Sequence, residues 1–119
     1  MQTLDELISL PYERRKQAFV NIIKDTHELW ILADQDGAVM LVAEDEDCIP
    51  VWPSKETAEV WQDSEWQNCT PRCIKVKDWQ ERWTNGMLED DLCVVVFPVP
   101  GESAMTMFPD EFDAMLSPP

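Results

Sequence analysis

The sequence predicts an α+β fold in a single compact domain. We expect a small mixed or mainly antiparallel sheet of about five or six strands, covered by about four or five helices. Strand-like apolar runs alternate with segments of helical spacing, and 119 residues are enough for one domain but not two. A hydrophobic content of 45% with six tryptophans supplies a core, so we assign residues 1–119 to one domain.

The stretch of residues 48–58 organises this prediction, because it passes from a strand to a helix. Ile49 and Val51 indicate a short strand, and Pro50 places it at a sheet edge or end, since proline has no backbone N–H to donate. Ser54 is a typical N-cap for the helix that follows. Together these residues predict a strand that ends where a helix folds back over it, and Trp61 lies on the covering face.

The N-terminal region predicts two helices. Thr3 and Glu6 form a capping box, which begins a short helix within residues 1–10. A second, amphipathic helix is expected with Pro11 at its first position, and its basic triplet at residues 14–16 is expected on the solvated face.

Apolar runs predict the strands of the sheet. Residues 29–33 and 38–43 flank an Asp/Gly turn at residues 34–37, which indicates a β-hairpin. Residues 92–97 give the strongest strand signal, and we expect a central, buried strand there. Residues 103–108 are expected to form a strand that pairs with residues 92–97.

A tryptophan-bearing helix is predicted in the C-terminal half. Asp78 and Glu81 suit its N-terminal capping box, and Gly86 is a plausible end. Trp79 and Trp83 fall on one stripe of this helix, which is typical of a core face.

A last helix is expected to open at Pro109, with Phe112 directed inward. Residues 117–119 are expected to form a loose tail.

The charge balance limits the classes of partner. The formal net charge is −15, from 24 acidic and 9 basic residues, so phosphate backbones and anionic lipids are repelled. We expect no nucleic-acid and no membrane partner, and instead an unknown protein with a basic surface. No apolar run reaches the roughly 18 residues of a membrane span, and the N-terminus lacks a secretory pattern, so we expect a cytoplasmic location.

The cysteines give little support for a metal site. Cys69 and Cys73 have a spacing that zinc sites allow, but no second such pair exists and His27 is the single histidine. Cys48 and Cys93 fall in strand-like runs, where cysteine acts as a small hydrophobe. We expect reduced thiols, no metal and no cofactor.

The residues of the chain do not suggest an enzyme, because no nucleophile stands with a base and the three glycines form no phosphate loop. The leading hypothesis is a non-catalytic protein–protein interaction module, of which an inhibitor or immunity protein is one form. The alternative is a small-ligand or metal-binding domain that uses the tryptophans and thiols around Cys69, Cys73 and Trp79. The candidate partner-binding residues are Trp52, Lys55, Trp66, Glu44, Asp45, Glu46 and Asp47.

Several motifs together resemble one family, the bacterial domain of unknown function 2750. The similarity runs from about Arg14 to Leu116, and its most specific part is the Pro-x-Trp-Pro-Ser-Lys run at residues 50–55. The supporting residues are Phe19, Trp30, Leu32, residues 36–37, Ala58, Trp79, Trp83, residues 86–90 and residues 96–98. The chain departs from the family pattern at residues 78–79, where Asp-Trp stands for a leucine-phenylalanine pair. The resemblance implies a small cytosolic bacterial protein and supplies no activity, cofactor or catalytic residue.

Overall fold

Two β-sheets meet at a bridge between Trp30 and Trp52, and helices pack around them, in the computed structural model of the chain. The structure describes residues 3–35, 37–43, 46–64, 66, 68–102 and 106–116, without the side chains of Ala43, Asp63 and Ser64. These described ranges contain five helices and seven strands. None of the helices in them combines the length and the apolar character needed to cross a bilayer.

The elements alternate along the chain. The helices are α1 (Leu4–Ile8), α2 (Tyr12–Thr26), α3 (Lys55–Ser64), α4 (residues 76–89) and α5 (Pro109–Leu116). The strands are β1 (Glu28–Asp34), β2 (Gly37–Ala38), β3 (Leu41–Ala43), β4 (Glu46–Val51), β5 (Thr70–Lys75), β6 (Cys93–Val96) and β7 (Thr106–Met107).

The strands form a three-stranded sheet in the order β2-β1-β5 and a four-stranded sheet in the order β3-β4-β6-β7. The β4–β6 pair is parallel and the other pairs are antiparallel. One bridge joins the sheets: Trp30 N donates to Trp52 O at 2.9 Å, and Trp52 N donates to Trp30 O at 2.8 Å. The α+β class is confirmed, but the sheet is divided in two rather than continuous.

The predicted hairpin is confirmed only near its turn. Asp34 pairs with Gly37 and Ala33 with Ala38, but the apolar run then leaves β1. Its later part is β3, which pairs with β4 in the other sheet and places Leu41 opposite Cys48. The run divides because Leu41 packs against a cluster of buried side chains on that second sheet.

The expected edge position of Pro50 is wrong, because β4 lies between β3 and β6, whereas the alternative of a ladder end holds on the β3 side, where pairing stops at Cys48. The register explains why proline is tolerated there. Pairing with β3 stops at Cys48, and the next contact on that side is the Trp30–Trp52 bridge. The nitrogen of Pro50 points to the same side as Trp52 N, two residues on, and falls in the gap between these contacts. No ladder hydrogen bond is lost there.

The strand-to-helix corner forms as predicted. Ser54 caps α3 by accepting from Thr57 N at 3.3 Å, while Ser54 N donates to Thr57 Oγ1 at 3.2 Å. Trp61, one turn further on, packs its ring 6.2 Å from that of Trp52. The helix therefore covers the strand it follows. The Thr3 cap of α1 is also confirmed, since Glu6 N donates to Thr3 Oγ1 at 3.2 Å.

The tryptophan-bearing helix α4 differs from its prediction at both ends. It begins at Val76, so Asp78 lies in the first turn rather than at the cap, and the capping-box prediction is wrong. Gly86 lies inside the helix, which ends when Asp91 adopts a left-handed conformation (φ 58°) and Leu92 N donates to Met87 O at 2.8 Å. This closing pattern satisfies late helical carbonyls without a glycine.

The middle of α4 is a π-helix. Trp79–Trp83 is wound with an extra residue per turn, and Thr84 N donates to Trp79 O, five residues back. The two indole rings stack at 5.3 Å with an interplanar angle of 10°. Trp79 is buried and Trp83 is half-buried, so the stripe packs on the core as predicted.

The C-terminal elements follow their predictions. β6 is an interior strand with all four residues buried, and β7 returns beside it at Thr106–Met107. Of the partner strand predicted over residues 103–108, residues 103–105 lie outside the described part of the chain, and Phe108 lies beyond the end of β7. The helix α5 opens at Pro109 and buries Phe112. Residues 117–119, the predicted tail, lie outside the described part of the chain.

The basic triplet at residues 14–16 is not wholly on the solvated face, because Arg15 is only 1% exposed. Its guanidinium donates to Phe97 O at 2.9 Å and to Leu10 O at 3.0 Å. It also forms an ion pair with Glu102 at 2.7 Å. The buried cation is tolerated because two carbonyls and a carboxylate replace its water.

Replacement of Arg15 should therefore destabilise the fold. In Arg15→Ala, two carbonyls and the Glu102 carboxylate lose their donor, and we expect a loss of about 2–4 kcal/mol in the free energy of unfolding, measured in urea. Arg14→Ala is the matched control, because Arg14 is exposed on the same helix, and it should change stability by less than about 0.5 kcal/mol. Equal stability of the two variants would contradict this account.

Candidate partner-binding groove

A groove lies where the end of α4 and the start of α5 meet one end of the four-stranded sheet. Its volume is about 510 Å³. Its lining residues are Glu46, Leu88, Asp91, Leu92, Cys93, Phe108 and Pro109.

The strand registers bring these lining residues together. β4 and β6 run parallel with Cys48 opposite Cys93, so Glu46 and Asp91 stand at the same end of the sheet. β7 runs antiparallel to β6, which brings Phe108 to that end as well. Residues that are far apart in sequence thus share one edge.

Two large apolar side chains on the groove are open to solvent. Leu88 is 43% exposed and Phe108 is 60% exposed. Leu88 is exposed because the neighbouring Met87 takes the buried position on α4. Phe108 immediately precedes α5, and its backbone N donates to Glu111 Oε1 at 3.1 Å, in the manner of a capping box. The backbone there is anchored while the ring stays outside the core.

Carboxylates border the same groove. Glu46 begins β4, Asp91 follows α4, and both are exposed. Glu89 and Asp90, also exposed, precede Asp91 along the chain. The groove therefore combines apolar surface with a negative border.

A side-chain hydrogen bond joins the two helices that form the groove. Thr84 Oγ1 on α4 donates to Asp113 Oδ2 on α5 at 2.7 Å. Burial raises the pKa of the Asp113 carboxyl, the Thr84 hydrogen bond opposes this, and the charge of Asp110 adds to the increase.

The predicted aromatic anchors lie elsewhere. Trp52 is 0% exposed and its Nε1 donates to Pro98 O at 2.9 Å, so the prediction that it contacts a partner is wrong. Its position between two sheets and α3 buries it. Trp66 is half-buried against Trp61, at a ring distance of 5.8 Å. Lys55 is exposed at the start of α3, which follows the end of β4 opposite to Glu46.

The structure describes only the second half of the predicted acidic run at residues 44–47. Glu44 and Asp45 lie outside them, while Glu46 and Asp47 are exposed at the start of β4. Among the predicted binding residues that the structure describes, Glu46 lines the groove.

The structure separates the two cysteines considered for zinc. Cys69 is buried just before β5, and Cys73 is exposed within it. Four residues of extended chain span about 13 Å, too far for two thiolates on one ion. Burial raises the pKa of the Cys69 thiol, aided by Asp34, and raises that of Cys73, aided by its hydrogen bond with Glu28. Across the described ranges, no three His, Cys, Asp or Glu side chains are placed to hold a metal ion.

Sequence reasoning missed Leu88, Phe108 and Asp91. One sequence feature indicates that Leu88 is exposed: it lies beside the buried stripe of its helix and directly before an acidic run. Phe108 falls at the end of the strand predicted over residues 103–108, and nothing local to it distinguishes an inward ring from an outward one.

The raised pKa of Asp113 predicts a pH effect on stability. A carboxyl whose pKa in the folded chain exceeds that in the unfolded chain binds its proton more tightly when folded, so its contribution to stability falls as the pH rises above its ordinary value of 3.8. Asp113→Asn keeps an oxygen acceptor for Thr84 and removes this titration. We expect the variant to gain stability relative to the parent as the pH is raised from 3.8 to neutral, measured by urea unfolding. Asp25→Asn, at an exposed position on α2, is the control, and parallel pH curves for Asp113→Asn and the parent would contradict the expectation.

Comparison with known proteins gives a family but no activity. A family model described as "Protein of unknown function (DUF2750)" matches residues 16–116. No curated protein matches the chain. The match covers most of the sequence and confirms the resemblance seen in its motifs. The chain therefore belongs to the DUF2750 family.

Proposed function

We propose that the protein is a non-catalytic interaction module that docks a basic partner protein in the groove. One observation supports this proposal above the others: exposed Leu88 and Phe108 share a groove with the carboxylates of Glu46 and Asp91. Exposed apolar surface with a charged border is typical of a protein-interaction site.

The apolar side chains supply binding energy. Full burial of a leucine or phenylalanine side chain contributes about 1.5–3 kcal/mol. Leu88 and Phe108 still have a large part of this gain available, because they are 43% and 60% exposed. A bulky side chain of the partner placed between them would form the centre of the contact.

The charge selects the partner. A chain of net charge −15 attracts basic surfaces and repels a second copy of itself, so the occupant is a different protein. Lysine or arginine on either side of the bulky apolar residue would meet Glu46 and Asp91. The occupant is therefore a basic segment with one or two large apolar side chains.

We also place the protein in the bacterial cytoplasm. The family resemblance supports the bacterial origin, and a reducing compartment would keep the four cysteines as thiols.

A small molecule is the second candidate for the groove. Its volume of about 510 Å³ is in the range of small-molecule sites. Native mass spectrometry of protein purified under mild conditions separates the two candidates: a retained small molecule favours this second function, and a bare chain favours the interface.

A random peptide display library, selected against the whole chain at low salt, tests the proposal. Enriched peptides should combine lysine or arginine with bulky apolar residues and should compete with one another for one site. Enrichment of neutral or acidic peptides, or no enrichment, contradicts the proposal.

The exposed side chains of Leu88 and Phe108 should account for most of the affinity of a selected peptide. Leu88→Ser and Phe108→Ser should each weaken binding about tenfold or more, measured by isothermal titration, because about 1.4 kcal/mol of apolar burial is lost. Leu4→Ser is the matched control, since Leu4 is 37% exposed but lies on α1, away from the groove. An equal loss of affinity in all three variants would contradict a binding site in the groove.

The acidic border should account for the salt dependence. Replacing Glu46→Gln and Asp91→Asn together should weaken binding by about two- to thirtyfold at low salt, because exposed charge pairs contribute about 0.2–1 kcal/mol each. Asparagine tolerates the left-handed backbone of Asp91, so the helix end is preserved. The difference should vanish at high salt.

The control for this experiment is the double variant Asp5→Asn and Asp25→Asn, which removes the same charge from exposed positions on α1 and α2. If it weakens binding as much as the groove pair, net charge alone explains the effect, and the border has no specific role.

A further inference from the structure

Two cysteines stand opposite each other on adjacent parallel strands beneath the groove. Cys48 of β4 is in register with Cys93 of β6. Residues paired across neighbouring strands direct their side chains to the same face of the sheet, and the strands are about 4.8 Å apart. This spacing lies within the Cα–Cα range of about 4.4–6.8 Å that a disulfide needs.

The pair lies on the side of the sheet away from the main core. Cys48, Cys93 and Val95 form a small buried cluster of their own, against which Leu41 packs. Buried cysteines usually act as small hydrophobes. This pair differs because Cys93 lines the groove, and because the Cys48 thiol donates to the carbonyl oxygen of Glu46, another lining residue, at 3.4 Å.

We infer that Cys48 and Cys93 form an oxidation site, a dithiol that closes to a disulfide between β4 and β6. The oxidant is a low-molecular-weight disulfide, which reaches the Cys93 sulfur from the groove that Cys93 lines. This inference is independent of the proposed function, because the chemistry needs no partner protein.

The reaction is two successive thiol–disulfide exchanges. The Cys93 thiol loses its proton, and its sulfur attacks one sulfur of oxidised glutathione, which forms a mixed disulfide and releases one glutathione thiol. The Cys48 sulfur, deprotonated in turn, attacks the Cys93 sulfur and releases the second glutathione thiol. The protein loses two protons and two electrons in total, and the oxidised glutathione gains them as it becomes two glutathione thiols.

The product should be easily reduced. Parallel strands hold the two Cβ atoms side by side rather than directed at each other, which strains a disulfide between them. Strained disulfides are the ones that mild reductants open. The site therefore cycles between dithiol and disulfide instead of acting as a permanent crosslink.

The test uses the full chain with Cys73→Ser, which removes the exposed thiol and leaves three cysteines. After incubation with oxidised glutathione, the number of thiols titrated in denaturant should fall from three to one. Peptide mass mapping without reduction should show the Cys48 peptide joined to the Cys93 peptide, and dithiothreitol should restore both thiols.

Two further variants locate the chemistry. Cys48→Ala in the same background should stop at the mixed disulfide, so that one glutathione stays attached to Cys93. Cys69→Ala is the matched control: Cys69 is also buried but lies beside the other sheet, and its replacement should leave the Cys48–Cys93 product unchanged.

The peptide map of the Cys73→Ser chain decides the outcome even if Cys48→Ala does not fold. The inference is overturned if Cys48 and Cys93 both remain thiols, if Cys93 stays glutathionylated while Cys48 is present, or if the recovered disulfide joins another pair. A chain oxidised in denaturant provides the reference, and it should give a mixture of pairings instead of one.

Discussion

The contacts of Trp52 hold the structure together at one corner. Its backbone forms the bridge to Trp30 that joins the two sheets, and its indole Nε1 donates to Pro98 O in the segment after β6. Its ring lies against Trp61 of α3. One buried residue thus fixes the relative positions of both sheets, a helix and a loop, and any shift of it would disturb all of them. This explains why the ring is in the core and not on a binding surface.

Arg15 gives the same loop a second attachment. It connects α2 to Phe97 O and to Glu102, on either side of the Pro98 carbonyl that accepts from Trp52. The segment after β6 is therefore held from two directions, by a cation and by an indole.

At the other end of β6 the chain is shaped differently. There Leu88 and Phe108 remain exposed, since α4 closes at Asp91 and α5 opens directly after β7. The fold is closed at one end of the sheet and leaves an open groove at the other.

Local patterns identified the elements better than the site. Ser54 and Thr3 were recognised as caps because a cap depends on residues within one turn. The predictions for Asp78 and Gly86 are wrong because the helix begins at Val76 and continues to Glu89, so both residues lie inside it. The acidic residue Glu46 was among the predicted binding residues, yet its neighbours in the groove come from elements up to about sixty residues away. No local pattern relates residues at that separation.

The sequence by itself determined the α+β class, the strand-to-helix corner, the buried strand β6, the negative charge and the family. These follow from hydrophobic period, capping chemistry, composition and a short motif, all of which are readable in one dimension. Only the tertiary structure decided that the strands divide into two sheets, that Arg15 is buried while Phe108 is not, and that Cys48 stands beside Cys93. Those outcomes depend on strand register and on which surfaces cover each other, and neither is encoded in the neighbourhood of a single residue.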